Sequence, residues 1–135
     1  MEIQVSQLIV RFLRQLGVDT IFGMPGAHIL PVYDSLYDSG IESILAKHEQ
    51  GAAFMACGYA KASGRISACI TTAGPGATNL VTGVADANMD HAPIVGIAGQ
   101  GATTRMHKES HQVLDLVNLF APISKYSVQI SEPEI

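Results

Sequence analysis

ISACITTAGPGATNLVTGVA, residues 66–85, runs for twenty residues without a charge. That length admits a membrane-spanning helix. But Thr71, Thr72, Gly74, Pro75, Gly76, Thr78 and Asn79 crowd its middle. A lipid-facing helix does not place two glycines and a proline within three residues at its centre. The stretch reads instead as a buried strand over 66–71, a tight turn at 74–76 and a helix over 77–87.

Working outward, the same alternation repeats. Val5, Leu8, Ile9, Phe12 and Leu16 follow the helix period, and Gly17 stops that helix. A short strand over 20–22 ends in GMPGA. A helix over 29–37 breaks at Gly40, and a strand over 41–46 follows. Residues 50–62 read as a helix closed by Gly64, where a left-handed C-terminal residue belongs. Residues 93–98 form a continuous apolar run, as a strand covered on both faces requires. After the loop GQGATTRMHKES come a short helix over 113–120 and an alternating strand over 124–130. Strands alternating with helices predict an α/β fold, a three-layer α/β/α sandwich around a mainly parallel sheet. Ligands of such sheets bind outside the carboxyl ends of the strands. The loops GMPGAH, KHEQG, TTAGPGATN and GQGATT are therefore the places to look.

Composition narrows the class. The chain has 135 residues, 47% hydrophobic and 15% charged, enough for one domain with a core and too few for two. Typical domains carry about a quarter charged residues, so part of this surface is expected to be covered by something else. A net charge of −4 leaves no basic footprint for nucleic acid. Glu2 and the absence of a basic stretch beside it argue against a signal peptide, and no segment reads as a membrane span. Cys57 and Cys69 read as buried thiols of a cytoplasmic protein rather than a disulfide framework. The ending SEPEI reads as the first turn of a helix that continues, so residues 1–135 are expected to be one domain cut from a longer chain.

HEQGA, from His48, opens like the zinc motif H-E-x-x-H, but Ala52 stands where the second histidine must be. His107 and His111 are four apart in a predicted loop with no third ligand nearby. No metal ligand set is expected. GPGATN, from Gly74, sits at a strand-to-helix turn, where backbone N–H groups favour anions. It departs from the dinucleotide fingerprint G-x-G-x-x-G at its third glycine, where Asn79 stands, and Pro75 removes a donor. Two readings stay open there, a weak dinucleotide site and a turn that permits close packing. Glu49 opens the helix that follows the second strand. As a first-turn carboxylate it would favour the helix dipole by a few tenths to about 1 kcal/mol. But Gly51, Ala52 and Ala53 follow it, and a carboxylate in so small and apolar a setting is suited to sharing a proton with a heterocyclic nitrogen.

FGMPGAHILPVYDSL, KHEQGAAFMACGYAKASG, TTAGPGATNLVTGVADAN, APIVGIAGQ and HQVLDLVNLFAPISKYS occur in this order at natural spacing. Together they resemble the N-terminal, pyrimidine-binding domain of thiamine-diphosphate enzymes of the acetolactate synthase and benzaldehyde lyase type. The resemblance covers nearly the whole chain. It implies that Glu49 hydrogen-bonds N1′ of the cofactor's aminopyrimidine and favours the imino tautomer, whose nitrogen takes the proton from C2 of the thiazolium. It implies that the backbone at Ala27 faces the pyrimidine, that Pro75 and Asn79 belong to the turn beside that ring, and that Gln112 reaches the site from the loop before the short helix. Where the family often has Phe-Gln-Glu, this chain has His111-Gln112-Val113, which counts against a tightly bound FAD. His28 stands in the GAHI context of the benzaldehyde-lyase-like members. It is either a proton relay facing the thiazolium or a helix-start residue turned to solvent.

The resemblance also shows what is missing. The family's Gly-Asp-Gly motif, which anchors Mg²⁺ and the diphosphate, does not occur in the chain. A diphosphate-binding domain of the same or another chain is therefore implied, in a homodimer or tetramer, and this domain alone is expected to be inactive. The implied substrate is a small 2-oxo acid or hydroxy ketone, and the implied reaction a carboligation or decarboxylation. Two alternatives remain: a natural small subunit of a two-subunit 2-oxo-acid decarboxylase, and a non-catalytic binding or regulatory relative.

Overall fold

The computed structural model describes residues 3–105 and 111–131. Helix α1 (Val5–Gln15) leads into strand β1 (Thr20–Gly23), helix α2 (Leu30–Leu36) and strand β2 (Glu42–Leu45). Helix α3 (Glu49–Ser63), strand β3 (Ser67–Thr71), helices α4 (Pro75–Asn79) and α5 (Val81–Met89) and strand β4 (Ile94–Ala98) follow. The last element is helix α6 (Leu116–Phe120), with single 3₁₀ turns at Thr103–Arg105 and Ala121–Ile123. The four strands form one sheet in the order β2-β1-β3-β4, and every pairing is parallel.

Side chains alternate across the sheet and feed two cores. Ile21, Ala68 and Ile70 turn to one face and meet Val10 and Leu13 of α1 and Val32 and Leu36 of α2. Phe22 and Cys69 turn to the other and meet Ala52, Ala53 and Ala56 of α3 and Val84 of α5. This is the three-layer α/β/α arrangement that the alternating pattern predicts. The alanines of α3 let it lie close to the sheet, and Gly83 lets α5 lie close to α3: a Cβ on Gly83 would stand 2.5 Å from Ala53 Cβ. Both cysteines are buried and free, and burial pushes the Cys69 thiol up to about 12.

Three sequence expectations need correction. The helix expected over 77–87 is two helices joined at buried Leu80, the first starting at Pro75, whose fixed φ suits a first helical position. The helix expected over 113–120 begins only at Leu116, because Asp115 caps it by accepting from the Asn118 backbone N–H at 3.0 Å. Residues 124–130 form no strand. Tyr126, Val128 and Ile130 alternate as a strand should but are 78%, 53% and 52% exposed, so among the described residues the pattern has no face to bury against. Met106–Ser110, with His107, and the predicted helix start at 132–135 lie outside the described residues. Among those described, no helix is long and apolar enough to cross a membrane.

Candidate functional site

The strand order runs to one side from β1 to β2 and to the other from β1 to β3 and β4. The chain therefore leaves β1 and β3 in opposite directions and opens a crevice at their carboxyl ends. Ala27 and His28 lie on the loop after β1, Glu49 starts the helix after β2, Pro75 and Asn79 are the first and last residues of the short helix after β3, and Gln112 lies in the loop before α6.

Glu49 is the first residue of α3. The preceding His48 is extended, and its Nδ1 accepts the backbone N–H of Gln50 at 3.2 Å. This cap starts the helix where β2 ends and points its first turn into the crevice. Gly64 closes the helix in the left-handed conformation at φ +70°. Glu49 is only 9% exposed. Its Oε2 accepts from Asn79 Nδ2 at 3.0 Å. Its Oε1 accepts no hydrogen bond from any described residue. The carboxylate is thus held by one oxygen and open at the other.

β3 ends at Thr71, on the same face as Cys69 and therefore on the α3 side. The chain then turns at Gly74 (φ +57°), and short α4 delivers Asn79 to Glu49. Gly76 shows how tight this corner is. A Cβ there would lie 2.7 Å from Thr71 Oγ1, 2.9 Å from Thr72 Cγ2 and 3.4 Å from Glu49 Oε1. A Cβ on Gly26, in the loop after β1, would meet Thr72 Cβ at 2.5 Å and Oγ1 at 2.7 Å. The Thr71 and Thr72 hydroxyls are both buried without a hydrogen-bond partner among the described residues.

The rim continues on both sides. Gln112, at φ +61°, packs against Gly74, where an added Cβ would stand 2.8 Å from Gln112 Cβ. Gly99, just beyond β4, packs on His28, whose backbone oxygen lies 2.9 Å from the same kind of point. His28 Nδ1 is buried and unpartnered, so this edge of the ring is not turned to solvent. Ala27 and Pro75 are exposed on the rim. Glu49 and Asn79 are bonded directly; Gln112 joins them through Gly74, and His28 through Gly26 and Thr72. The spacing reading missed Thr71, Thr72 and the His48 cap. Two adjacent hydroxyls at the end of a covered strand were the available signal.

Gly26 and Gly76 let the loops after β1 and β3 pack closely against Thr71 and Thr72, Ala27 and Pro75 present small apolar surface at the rim, and Glu49 Oε1 is left without a hydrogen-bond partner among the described residues. Among the described residues no three His, Cys, Asp or Glu side chains gather to hold a metal ion.

Comparison with known proteins gives a consistent result. Residues 3–119 match the family described as thiamine pyrophosphate enzyme, N-terminal TPP binding domain. Over 129 residues the chain is 47% identical to the acetolactate synthase isozyme 2 large subunit of Escherichia coli (strain K12), covering 96% of this chain and 24% of that protein. It is 48% identical over 128 residues to the acetolactate synthase large subunit of Lactococcus lactis, covering 94% of this chain and 22% of that protein. It is 46% identical over 129 residues to a probable acetolactate synthase large subunit of Methanocaldococcus jannaschii, covering 96% of this chain and 22% of that protein. The chain thus spans under a quarter of the length of these relatives.

Proposed function

The chain belongs to the thiamine pyrophosphate enzymes, as their N-terminal TPP-binding domain, and from that premise we propose that the intact protein is a carboligase of the acetolactate synthase type acting on small 2-oxo acids. The observation that supports this reading is the state of Glu49: buried, fixed at Oε2 by Asn79, and without a hydrogen bond from the described residues at Oε1, which lies beside Gly76.

When bound, thiamine diphosphate supplies the electron sink that makes a carbanion equivalent available at a carbonyl carbon. The chain's residues do the rest of the work on this side of the site. Glu49 Oε1 holds or gives a proton at the aminopyrimidine ring nitrogen, and shielding from water strengthens that bond. Asn79 keeps the carboxylate from rotating away. Gly26 and Gly76 let backbone approach the ring, with Ala27 and Pro75 beside it. Gln112 approaches from the loop against Gly74. His28, with a buried Nδ1, holds a proton for the substrate oxygen.

Because the chain lacks the Gly-Asp-Gly motif, the metal and the diphosphate fall to another domain in this reading. In this reading that domain belongs to the same chain or to a second copy, the assembly is a homodimer or tetramer, and the protein works in the cytoplasm. A tightly bound FAD is not part of the reading.

The test is pyruvate consumption by the full-length protein with thiamine diphosphate and Mg²⁺, comparing wild type with Glu49→Gln. The reading requires a large loss of rate in a variant that still folds. An unchanged rate would reduce Glu49 to a helix-start charge and leave the non-catalytic alternative.

A further inference from the structure

Thr71 is fully buried, at 0% exposed, and its hydroxyl has no hydrogen-bond partner among the described residues. Leaving a buried hydroxyl unpaired carries the full desolvation penalty of that group. Such a group calls for a reason, because nearly all buried polar atoms in folded proteins are paired. Valine at the same place would keep the shape, favour the strand and remove that cost. Packing therefore does not explain the threonine.

Its surroundings do. Strand alternation turns Thr71 to the α3 side of the sheet, the side on which Glu49 stands. Thr71 Oγ1 and Glu49 Oε1 both lie close to one point, 2.7 Å and 3.4 Å from where a Gly76 Cβ would be. Oε1 is the oxygen that Asn79 does not hold. The two atoms are not hydrogen-bonded to each other, and a water can bridge polar groups that stand beyond direct reach. Thr72 differs: its hydroxyl lies against Gly26, and only its methyl faces Gly76.

We propose that Thr71 is a positioning residue for Glu49, its hydroxyl donating to Oε1, directly or through one water, when the pocket is filled. A carboxylate oxygen accepts two hydrogen bonds, so Oε1 can take Thr71 and still face a ring nitrogen. Asn79 and Thr71 would then fix the carboxylate from both oxygens. The proposal rests on the assignment of Glu49 to the cofactor, and its test separates the two.

The full-length protein is compared as wild type, Thr71→Val, Thr71→Ser, Glu49→Gln and the Thr71→Val/Glu49→Gln double variant. Three readouts are taken: the thermal midpoint without cofactor, thiamine diphosphate affinity by calorimetry with Mg²⁺ present, and pyruvate turnover. The expected result is a Thr71→Val midpoint equal to or above wild type and an affinity at least about tenfold weaker, the usual worth of a hydrogen bond to a charged group. Thr71→Ser should restore the affinity. In the Glu49→Gln background Thr71→Val should cost little more, because the two act as a unit. Wild-type affinity in Thr71→Val beside an impaired Glu49→Gln would overturn the Thr71 proposal and leave the role of Glu49 standing. Full additivity of the two losses, or a midpoint lowered in Thr71→Val, would also overturn it. Unchanged affinity and turnover in Glu49→Gln would remove the assignment on which it rests.

Discussion

Asn79 Nδ2 donates to Glu49 Oε2 at 3.0 Å, across thirty residues of sequence. The bond joins the start of α3 to the end of α4, and so fixes the loop after β2 against the loop after β3. Asn79→Ala would leave a buried carboxylate oxygen without its donor. The expected loss is about 1–3 kcal/mol of folding stability, read by urea denaturation, together with weaker cofactor binding. Asn79→Asp should cost more near neutral pH, because two carboxylates at that distance cannot both stay charged.

Glycine substitutions should split by location. Gly76→Ala would drive a Cβ to 2.7 Å from Thr71 Oγ1 and 2.9 Å from Thr72 Cγ2, so the corner must open. We expect its thiamine diphosphate affinity to fall by at least about tenfold, which equals about 1.4 kcal/mol, in a protein with wild-type circular dichroism. Gly58→Ala, in the middle of α3 with open space around the added Cβ, should instead stabilise by about 0.5–1 kcal/mol. Equal effects at the two sites would show that the corner is not tight.

Tyr33 carries a buried hydroxyl without a partner among the described residues, and burial pushes it up to about 12 from 10.0. The folded state then holds the proton more tightly than the unfolded state. Its contribution is fully present below pH 10 and is lost as pH rises toward 12. Tyr33→Phe should therefore flatten part of the alkaline fall in stability, leaving the part due to the raised thiols of Cys57 and Cys69. At neutral pH the variant should match wild type or exceed it, as measured by urea denaturation at pH 7 and pH 11.

His28 should separate from Glu49 in kinetics. If its ring relays a proton to the substrate oxygen, His28→Ala lowers turnover by about a hundredfold, the low end for general acid–base catalysis, and spares cofactor affinity. Wild-type turnover in that variant would leave His28 as packing beneath Gly99.

The periodic signals were read well because they report which faces are buried. The helix predicted over 5–16 is Val5–Gln15. The apolar run at 93–98 is a strand, β4, but not the fully covered one expected: it lies at the sheet's edge, half-buried and exposed at Gly96. The errors fall where tertiary context decides. Residues 124–130 alternate, yet their apolar positions have nothing to pack on among the described residues. Asp115 moves a helix start by capping, and Pro75 begins a helix inside what spacing alone read as a turn. In the site, Glu49 stood out because a carboxylate before Gly51, Ala52 and Ala53 is unusual. Its bond to Asn79 was not legible from spacing, since it depends on how the β2 and β3 loops meet. Thr71 passed as an ordinary strand residue, because a missing partner shows only in three dimensions.

The most direct test of the central claim follows the proton itself. Hydrogen–deuterium exchange at C2 of thiamine diphosphate bound to the full-length protein, quenched and read by NMR, reports how well the protein activates the cofactor before any substrate enters. The account predicts that Glu49→Gln slows this exchange by about a hundredfold or more while the cofactor stays bound. Exchange at the wild-type rate in Glu49→Gln would contradict it.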